Sequence, residues 1–271
     1  MQNTTTSTVA FIGGGNMASA LIGGLLRSGH AAQQILVVEP FEAQRAKLLQ
    51  AFGVQAQAAA DARLASAGTV VWAVKPQLFA EASLPCAPFV QQALQLSVMA
   101  GIRSETLVRA CGTESVVRAM PNTPALIGQG IAGLFARPAV DASQRSRVEA
   151  LIAPTGASLW VQQEDDLDAV TALSGSGPAY VFYFIEAMMQ AAAEMGLTEA
   201  QGRVLAQSTF AGAAALAQQS PLSPTALREQ VTSKGGTTFA AITSLQDSGV
   251  GPAFVKALHA ARNRATELGK A

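Results

Sequence analysis

Two polar, glycine-broken stretches of this chain could do chemistry that the rest of it cannot. Towards the C-terminus, Val231-Thr232-Ser233-Lys234-Gly235-Gly236-Thr237-Thr238 interrupts a segment that otherwise reads as helix. Its glycines and hydroxyls, with Ser233, Gly235, Gly236, Thr237 and Thr238 at the centre, place backbone N–H groups at a new helix start. Such a loop binds an anion. The helix dipole there contributes roughly 0.3 to 2 kcal/mol before direct hydrogen bonds are counted. Near the N-terminus, Phe11-Ile12-Gly13-Gly14-Gly15-Asn16-Met17-Ala18 follows a short apolar run and opens a helical pattern. In that setting Gly13 permits a tight turn, Gly15 lets backbone approach a pyrophosphate, and Ala18 lets helix pack closely on strand. Asn16 and Met17 lie in the same first turn.

Further candidates stand where strands should end. Glu39 closes the second apolar run, where an acid bonds the ribose 2′-hydroxyl of NAD and repels a 2′-phosphate; Arg45, about a helical turn on, could reach back to a phosphate. Ala73-Val74-Lys75-Pro76 ends the third, with Pro76 stopping the strand and fixing the turn, and Ala100 follows the fourth. Arg118-Ala119-Met120-Pro121-Asn122-Thr123-Pro124 ends the next, two prolines bracketing a rigid polar turn around Asn122. Ser174-Gly175-Ser176-Gly177-Pro178 starts a long helix with small residues, which suits either a cleft at Ser176 or close helix approach across a dimer.

These residues need a scaffold that brings strand ends together. Thr8 to Ile12, Gln34 to Glu39, Thr69 to Val74, Leu94 to Met99 and Ser115 to Ala119 read as strands, with helices over Met17 to Leu26, Phe41 to Phe52 and Ser104 to Ala110. The alternation predicts an α/β fold, a Rossmann-like doubly wound parallel sheet. After about Asp165 strand signals give way to alanine-rich helices: Pro178 to Met195, a helix opened by the capping box Thr198-Glu199-Ala200-Gln201 and ending near Gln218, Ser223-Pro224 to Gln230, and two more from about Thr237 and Pro252. The expected division is a dinucleotide-binding domain over 1–165 and an all-helical domain over 166–271.

Composition narrows the partners. Of 271 residues 49% are hydrophobic and only 13% charged, about half the usual charged share, so much of the surface is expected to be hidden between subunits. Lys plus Arg equals Asp plus Glu at 18 each, with no basic run, which argues against nucleic acid or an anionic membrane. The polar stretch Gln2 to Thr8 gives no export signal and no apolar run reaches a membrane span, so a cytoplasmic location is expected. Cys86 and Cys111, far apart and without His neighbours, suggest neither a disulfide framework nor a metal site. His30 and His259 fall outside every motif, so the general acid that carbonyl reduction usually needs is missing, which favours a C=N substrate.

The loop at 231–238, its spacing to Leu227 before and to Ala241, Ile242 and Leu245 after, the Gly13 turn and the Met120-Pro121-Asn122-Thr123-Pro124 segment together resemble the pyrroline-5-carboxylate reductase family over both ends of the chain. The resemblance implies hydride transfer from NADPH or NADH to 1-pyrroline-5-carboxylate, giving L-proline. It further implies that Val74 and Lys75 line the nicotinamide ribose, that Ala100 and Asn122 lie beside the cofactor, that Ser176 lies in the substrate cleft near the 233–237 loop, that this loop holds the substrate carboxylate, and that Thr238 bonds the ring nitrogen. A homodimer built on the helical domain, assembling further into a ring of dimers in some relatives, also follows from it. Two departures stand out: Glu39 where NADPH users carry serine, asparagine or arginine, and Lys234 where proline is common. A hydroxyacid-dehydrogenase-like enzyme would instead need a lysine or histidine inside the helical half, and a non-catalytic NAD(P)-binding sensor would have no need of the 232–238 loop.

Overall fold

The computed structural model describes residues 8–270; of the polar stretch Gln2 to Thr8, only Thr8 lies within them. Eight strands form one sheet among the described residues, in the order β3-β2-β1-β4-β5-β6-β7-β8. They are β1 (Val9–Ile12), β2 (Ile35–Val38), β3 (Ala56–Gln57), β4 (Thr69–Trp72), β5 (Leu94–Ser97), β6 (Val116–Met120), β7 (Gly130–Ala136) and β8 (Gly156–Trp160). Strands β1 to β6 are parallel. Because β1 lies between β2 and β4, the order reverses there, and the crevice beyond its end is where such sheets bind ligands.

The five strands expected from the sequence pair in parallel as expected; the sheet adds β7, which runs antiparallel to β6, and β8, which pairs parallel with β7. Neither strand announces itself, because close approach strips them of side chains. A Cβ on Gly133 would sit 2.7 Å from Val170 Cγ1, and one on Gly156, at φ +135°, 2.0 Å from the Gly130 carbonyl oxygen.

Strand alternation builds two cores, one on each face. Val9, Phe11, Val37, Val71, Leu96 and Val117 meet Leu21, Ile22 and Leu25 of α1 (Asn16–Arg27) and Leu48 of α2 (Glu42–Phe52). On the other face Ala10, Ile12, Val70, Trp72 and Val116 meet Phe79, from α3 (Phe79–Ser83), Val90, from α4 (Ala87–Val90), and Leu107, from α5 (Ser104–Cys111). A buried polar pair beside them is satisfied: the Trp72 indole N–H donates to Gln95 Oε1 at 2.9 Å, and Gln95 Nε2 donates to the carbonyls of Val90 and Ala93.

Of the described residues, 8–176 and 261–270 form the first compact unit and 177–260 the second. Helical texture begins earlier, at α7 (Asp166–Val170), which follows α6 (Ala142–Ile152) and β8. Side chains explain why α7 stays with the sheet. Leu167 is buried, and Arg103 binds Asp165 Oδ1 at 2.9 Å and Asp168 Oδ2 at 2.8 Å. Thr266, at the returning end of the last helix, donates to the same Asp168 oxygen at 2.9 Å.

The second unit holds α8 (Gly177–Glu194), α9 (Glu199–Gln219), α10 (Pro224–Gln230), α11 (Thr237–Asp247) and most of α12 (Val250–Leu268). The capping box at Thr198 is formed, its Oγ1 accepting from Gln201 N–H while Gln201 Oε1 accepts from Thr198 N–H. Gly202 lets α9 approach α8, since a Cβ there would lie 3.0 Å from Ala192 Cβ. Tyr180 and Phe184 both meet the Phe254 ring edge-on at 5.7 Å. Yet Phe182, Tyr183, Val204, Leu205 and Leu216 are exposed, so this unit presents far more apolar surface than a solvated helical bundle would.

Candidate active site

The ends of β1, β2 and β4 and the loops after them enclose a cleft of about 460 Å³ lined by Gly13, Gly15, Glu39, Gln44, Lys47, Val74 and Lys75. Next to it lies an apolar recess of about 420 Å³ between Pro40, Phe41, Ala58, Ala59, Ala60 and Leu78. Five residues singled out in the sequence thus share one cleft. Asn16, Met17 and Ala18 form the first turn of α1 behind it, and Pro76 starts a short 3-10 turn after Lys75.

Each glycine of the turn has a separate reason. Gly13 adopts φ +95°, donates its N–H to the Val38 carbonyl at 2.9 Å, and has no room for a side chain because the Ala73 carbonyl oxygen would lie 2.7 Å from a Cβ. Gly14 is pressed against Leu48, whose Cδ1 would be 2.7 Å from its Cβ. Gly15 is the opposite case. It caps α1 in extended backbone, a Cβ on it would meet nothing within 4 Å, and no side chain satisfies the N–H groups behind it. An open helix N-terminus bordering a cleft is the arrangement that receives a pyrophosphate, so these residues fit a dinucleotide. Held there, such a group would lie between the α1 N-terminus and the Val74-Lys75 turn.

Glu39 is only 6% exposed. Its Oε2 accepts the Gly14 N–H and its Oε1 the Phe41 N–H, both at 2.9 Å, so the acid is fixed at the end of β2. Gln44 Nε2 donates to the Gly14 carbonyl from the next helix. Arg45 does not reach into the cleft as expected. Its Nη1 donates to the carbonyls of Glu39 at 3.0 Å and Pro40 at 2.6 Å, locking the loop instead. The apolar recess escaped the sequence reading because Ala58, Ala59 and Ala60 follow a two-residue strand, β3, too short to leave a periodic signal.

Ala100 follows β5 and Asn122 follows β6 on the same edge of the sheet. Asn122 is tied down at both ends of its amide, donating to the Ser174 carbonyl at 3.2 Å and accepting from Ile131 N–H at 3.0 Å. Ser176 ends a π-helical turn over Thr171–Gly175, its N–H bonded to the Thr171 carbonyl at 2.8 Å. Behind β6, buried Arg118 donates to Glu164 Oε1 at 2.8 Å, and the Ser104 hydroxyl and N–H donate to the same carboxylate. Burial works against the charge on Glu164, but the hydrogen bonds from Ser104 and Arg118 outweigh it and hold the carboxyl below its ordinary range. Burial likewise pulls the Arg118 guanidinium down, and Glu164 opposes it. Burial pushes the thiols of Cys86 and Cys111 up to about 11 and about 12, which removes both as nucleophiles near neutral pH.

In the helical unit, Gly235 takes φ +79° and Gly236 caps α11 in extended backbone without a side-chain cap. One expectation changes here: the Gly236 N–H is spent on the Ser233 carbonyl at 3.0 Å, closing the turn. Thr237 and Thr238, the first two residues of α11, are the positions whose N–H groups lack partners along the helix. The Thr232 hydroxyl donates to the Arg228 carbonyl at 2.6 Å and so ends α10.

A glycine turn feeding a helix at the switch point of a doubly wound sheet, followed by a helical unit with a second open helix start, defines an NAD(P)H-dependent oxidoreductase. Comparison with known proteins gives the family. Residues 164–268 match the family described as Pyrroline-5-carboxylate reductase dimerisation, and residues 8–101 the one described as NADP oxidoreductase coenzyme F420-dependent. A pyrroline-5-carboxylate reductase of Pseudomonas aeruginosa is 42% identical over 266 residues, 97% of this chain and 97% of its own. One from Haemophilus influenzae is 40% identical, covering 96% of this chain and 97% of its own. A solved pyrroline-5-carboxylate reductase from Coxiella burnetii superposes with a TM-score of 0.91 at 37% identity, covering 98% of this chain and all (100%) of that one. The chain belongs to the pyrroline-5-carboxylate reductase family. Its helical part corresponds to that family's dimerisation region, in keeping with its exposed apolar faces and with a homo-oligomer. Among the described residues no helix is long and apolar enough to cross a membrane, and no cluster of three or more His, Cys, Asp or Glu could hold a metal.

Proposed function

We propose that this chain reduces the C=N bond of 1-pyrroline-5-carboxylate to give L-proline, the last step of proline biosynthesis, in the cytoplasm and as a homodimer that assembles further into a ring of dimers. The observation that carries the reading is the start of α11, where Gly235 at φ +79° and the uncapped Gly236 leave the N–H groups of Thr237 and Thr238 for an anion. A small carboxylate suits that place, with Ser233 and Gly235 shaping its surroundings. Thr238 takes the catalytic position, its hydroxyl bonding the ring nitrogen. NADPH or NADH, when bound at Gly13 to Ala18, Glu39, Val74 to Pro76, Ala100 and Asn122, supplies the hydride.

A cyclic imine is readily protonated near neutral pH, so the protein needs no strong acid and its contribution is positioning. The absence of His from every motif fits this chemistry. The boundary near 165 assigns 1–165 to the dinucleotide and 166–271 to substrate and dimerisation. The test is direct: purified protein given pyrroline-5-carboxylate should oxidise NADPH or NADH while proline accumulates, followed by absorbance and by chromatography. Folded protein that turns over with neither cofactor would refute the reading, and a fully active monomer in the ultracentrifuge at assay concentration would refute the assembly.

A further inference from the structure

We propose that Glu39 makes this chain selective for NADH over NADPH. The inference rests on the reading of the cleft at Gly13 and Gly15 as the dinucleotide site. An acid at the end of the second strand favours a ribose 2′-hydroxyl and repels a 2′-phosphate, but an exposed, mobile acid can swing aside. This one cannot. It is buried, and both carboxylate oxygens are held by backbone N–H groups of Gly14 and Phe41 at 2.9 Å. A carboxylate accepts about four hydrogen bonds, so lone pairs remain for a ribose hydroxyl. To admit a phosphate the side chain would have to abandon both N–H groups, leaving that of buried Gly14 unpaired.

The surroundings provide no compensating clamp. The residues after Glu39 are Pro40 and Phe41, which line the cleft and carry no charge. Arg45, the nearest guanidinium in sequence, donates to the carbonyls of Glu39 and Pro40 and is absent from the lining of both cavities. Lys47 and Lys75 line the cleft as well as Gly13, Gly15 and Glu39; on this proposal they serve the pyrophosphate that both dinucleotides share.

Equilibrium binding of NADH and NADPH, by fluorescence titration of the full-length protein without substrate, decides the matter. Kd for NADPH should exceed that for NADH by at least about tenfold. Glu39→Gln keeps the size of the side chain and removes its charge, so the ratio should fall to threefold or less, chiefly through tighter NADPH binding. Lys47→Ala should weaken both dinucleotides alike. Equal or tighter binding of NADPH by the wild type overturns the proposal and leaves the dinucleotide site standing. So does a ratio unmoved in folded Glu39→Gln, or a loss in Lys47→Ala confined to NADPH. Failure of the wild type to bind either dinucleotide overturns the site and the proposal together. Should Glu39→Gln not fold, the wild-type ratio still decides.

Discussion

Gly13 and Gly15 sit two residues apart in one turn, yet replacing each with alanine should damage different properties. At Gly13 the methyl group meets the Ala73 carbonyl oxygen at 2.7 Å, and that carbonyl belongs to backbone tied to β1 by the Ala73 N–H to Ile12 bond. Backbone cannot move cheaply, so overpacking costs about 1 to 3 kcal/mol. A left-handed backbone angle, here φ +95°, adds about 1 to 2 kcal/mol for any residue with a Cβ. Gly13→Ala should therefore lose roughly 2 to 5 kcal/mol, lowering the thermal midpoint by roughly 5 °C or more. At Gly15 the backbone is ordinary for an L-residue and the methyl meets nothing within 4 Å. The entropy gained on replacing glycine, about 0.4 to 1 kcal/mol, roughly offsets alanine's poorer capping. Stability should stay within about 1 kcal/mol of wild type. Dinucleotide affinity should not, because the methyl stands where a pyrophosphate must approach. Losing one or two charge-assisted N–H bonds of about 1.5 to 3 kcal/mol each weakens Kd by at least about tenfold. Thermal unfolding beside NADH titration separates the two effects. If Gly15→Ala binds as wild type does, the pyrophosphate does not lie at the α1 N-terminus and the placement of the cofactor is wrong.

Glu164→Gln leaves Arg118, 5% exposed, without its counter-charge; with Glu164 itself 21% exposed, the loss should be near the low end of the 3 to 5 kcal/mol expected for a broken buried pair, read by urea unfolding. The same pair predicts a pH dependence. The Glu164 carboxyl lies below its ordinary 4.5 when folded, so its contribution is complete above that value and fades as pH falls through the folded value beneath it; wild type should lose stability below about pH 4.5 more steeply than Glu164→Gln, and parallel acid limbs would contradict the assignment. Thr198→Ala removes the hydroxyl that accepts the Gln201 N–H, while the backbone N–H of residue 198 can still donate to Gln201; it should cost about 1 kcal/mol, and coincident unfolding curves would contradict the cap. Thr238→Ala should lower kcat roughly ten- to a hundredfold while NADH affinity holds, because a substrate arriving protonated needs less than the 10² to 10⁴ of a typical general acid; wild-type kcat and KM at every pH would exclude its hydroxyl from the reaction.

What the sequence made legible follows from where the information lies. Strands β1, β2 and β4 are short runs rich in apolar and β-branched residues, and α9 and α10 begin with the local signatures Thr198-x-x-Gln201 and Ser223-Pro224, so a few adjacent residues suffice to find them. The strand β7 and its neighbour β8 depend on contacts far along the chain. A Cβ on Gly156 would strike the Gly130 backbone and one on Gly130 the backbone of Ala125 and Thr155, yet in isolation both glycines lower strand propensity instead of raising it. The same applies to the first unit's outer boundary. In the sequence Asp165 marks only a change of texture; the fold is what brings Arg103 to Asp165 and Asp168, and Thr266 to Asp168. Of the site, Glu39 was found from its place at a strand end, but its rigidity comes from Gly14, 25 residues earlier, which no local pattern records.

Both candidate binding stations are built mainly from backbone, and this explains why they were visible at all. A side chain that positions a ligand can be any of several types, whereas a backbone N–H brought to a ligand at a helix start demands glycine where the chain turns. Gly13 at φ +95° and Gly235 at φ +79° meet that demand, and each is followed two residues or one residue later by a helix N-cap, Gly15 and Gly236, with no side-chain cap. A hydroxyl or carboxylate cap would have satisfied the first N–H groups internally and gained about 1 kcal/mol of stability for each helix. Leaving both starts open forgoes that gain and keeps two positive helix ends for anions brought from outside: a pyrophosphate at one and a carboxylate at the other. On the proposed reading both anions are held by backbone and the reaction asks little of side chains, a division of labour in keeping with His30 and His259 lying outside both stations.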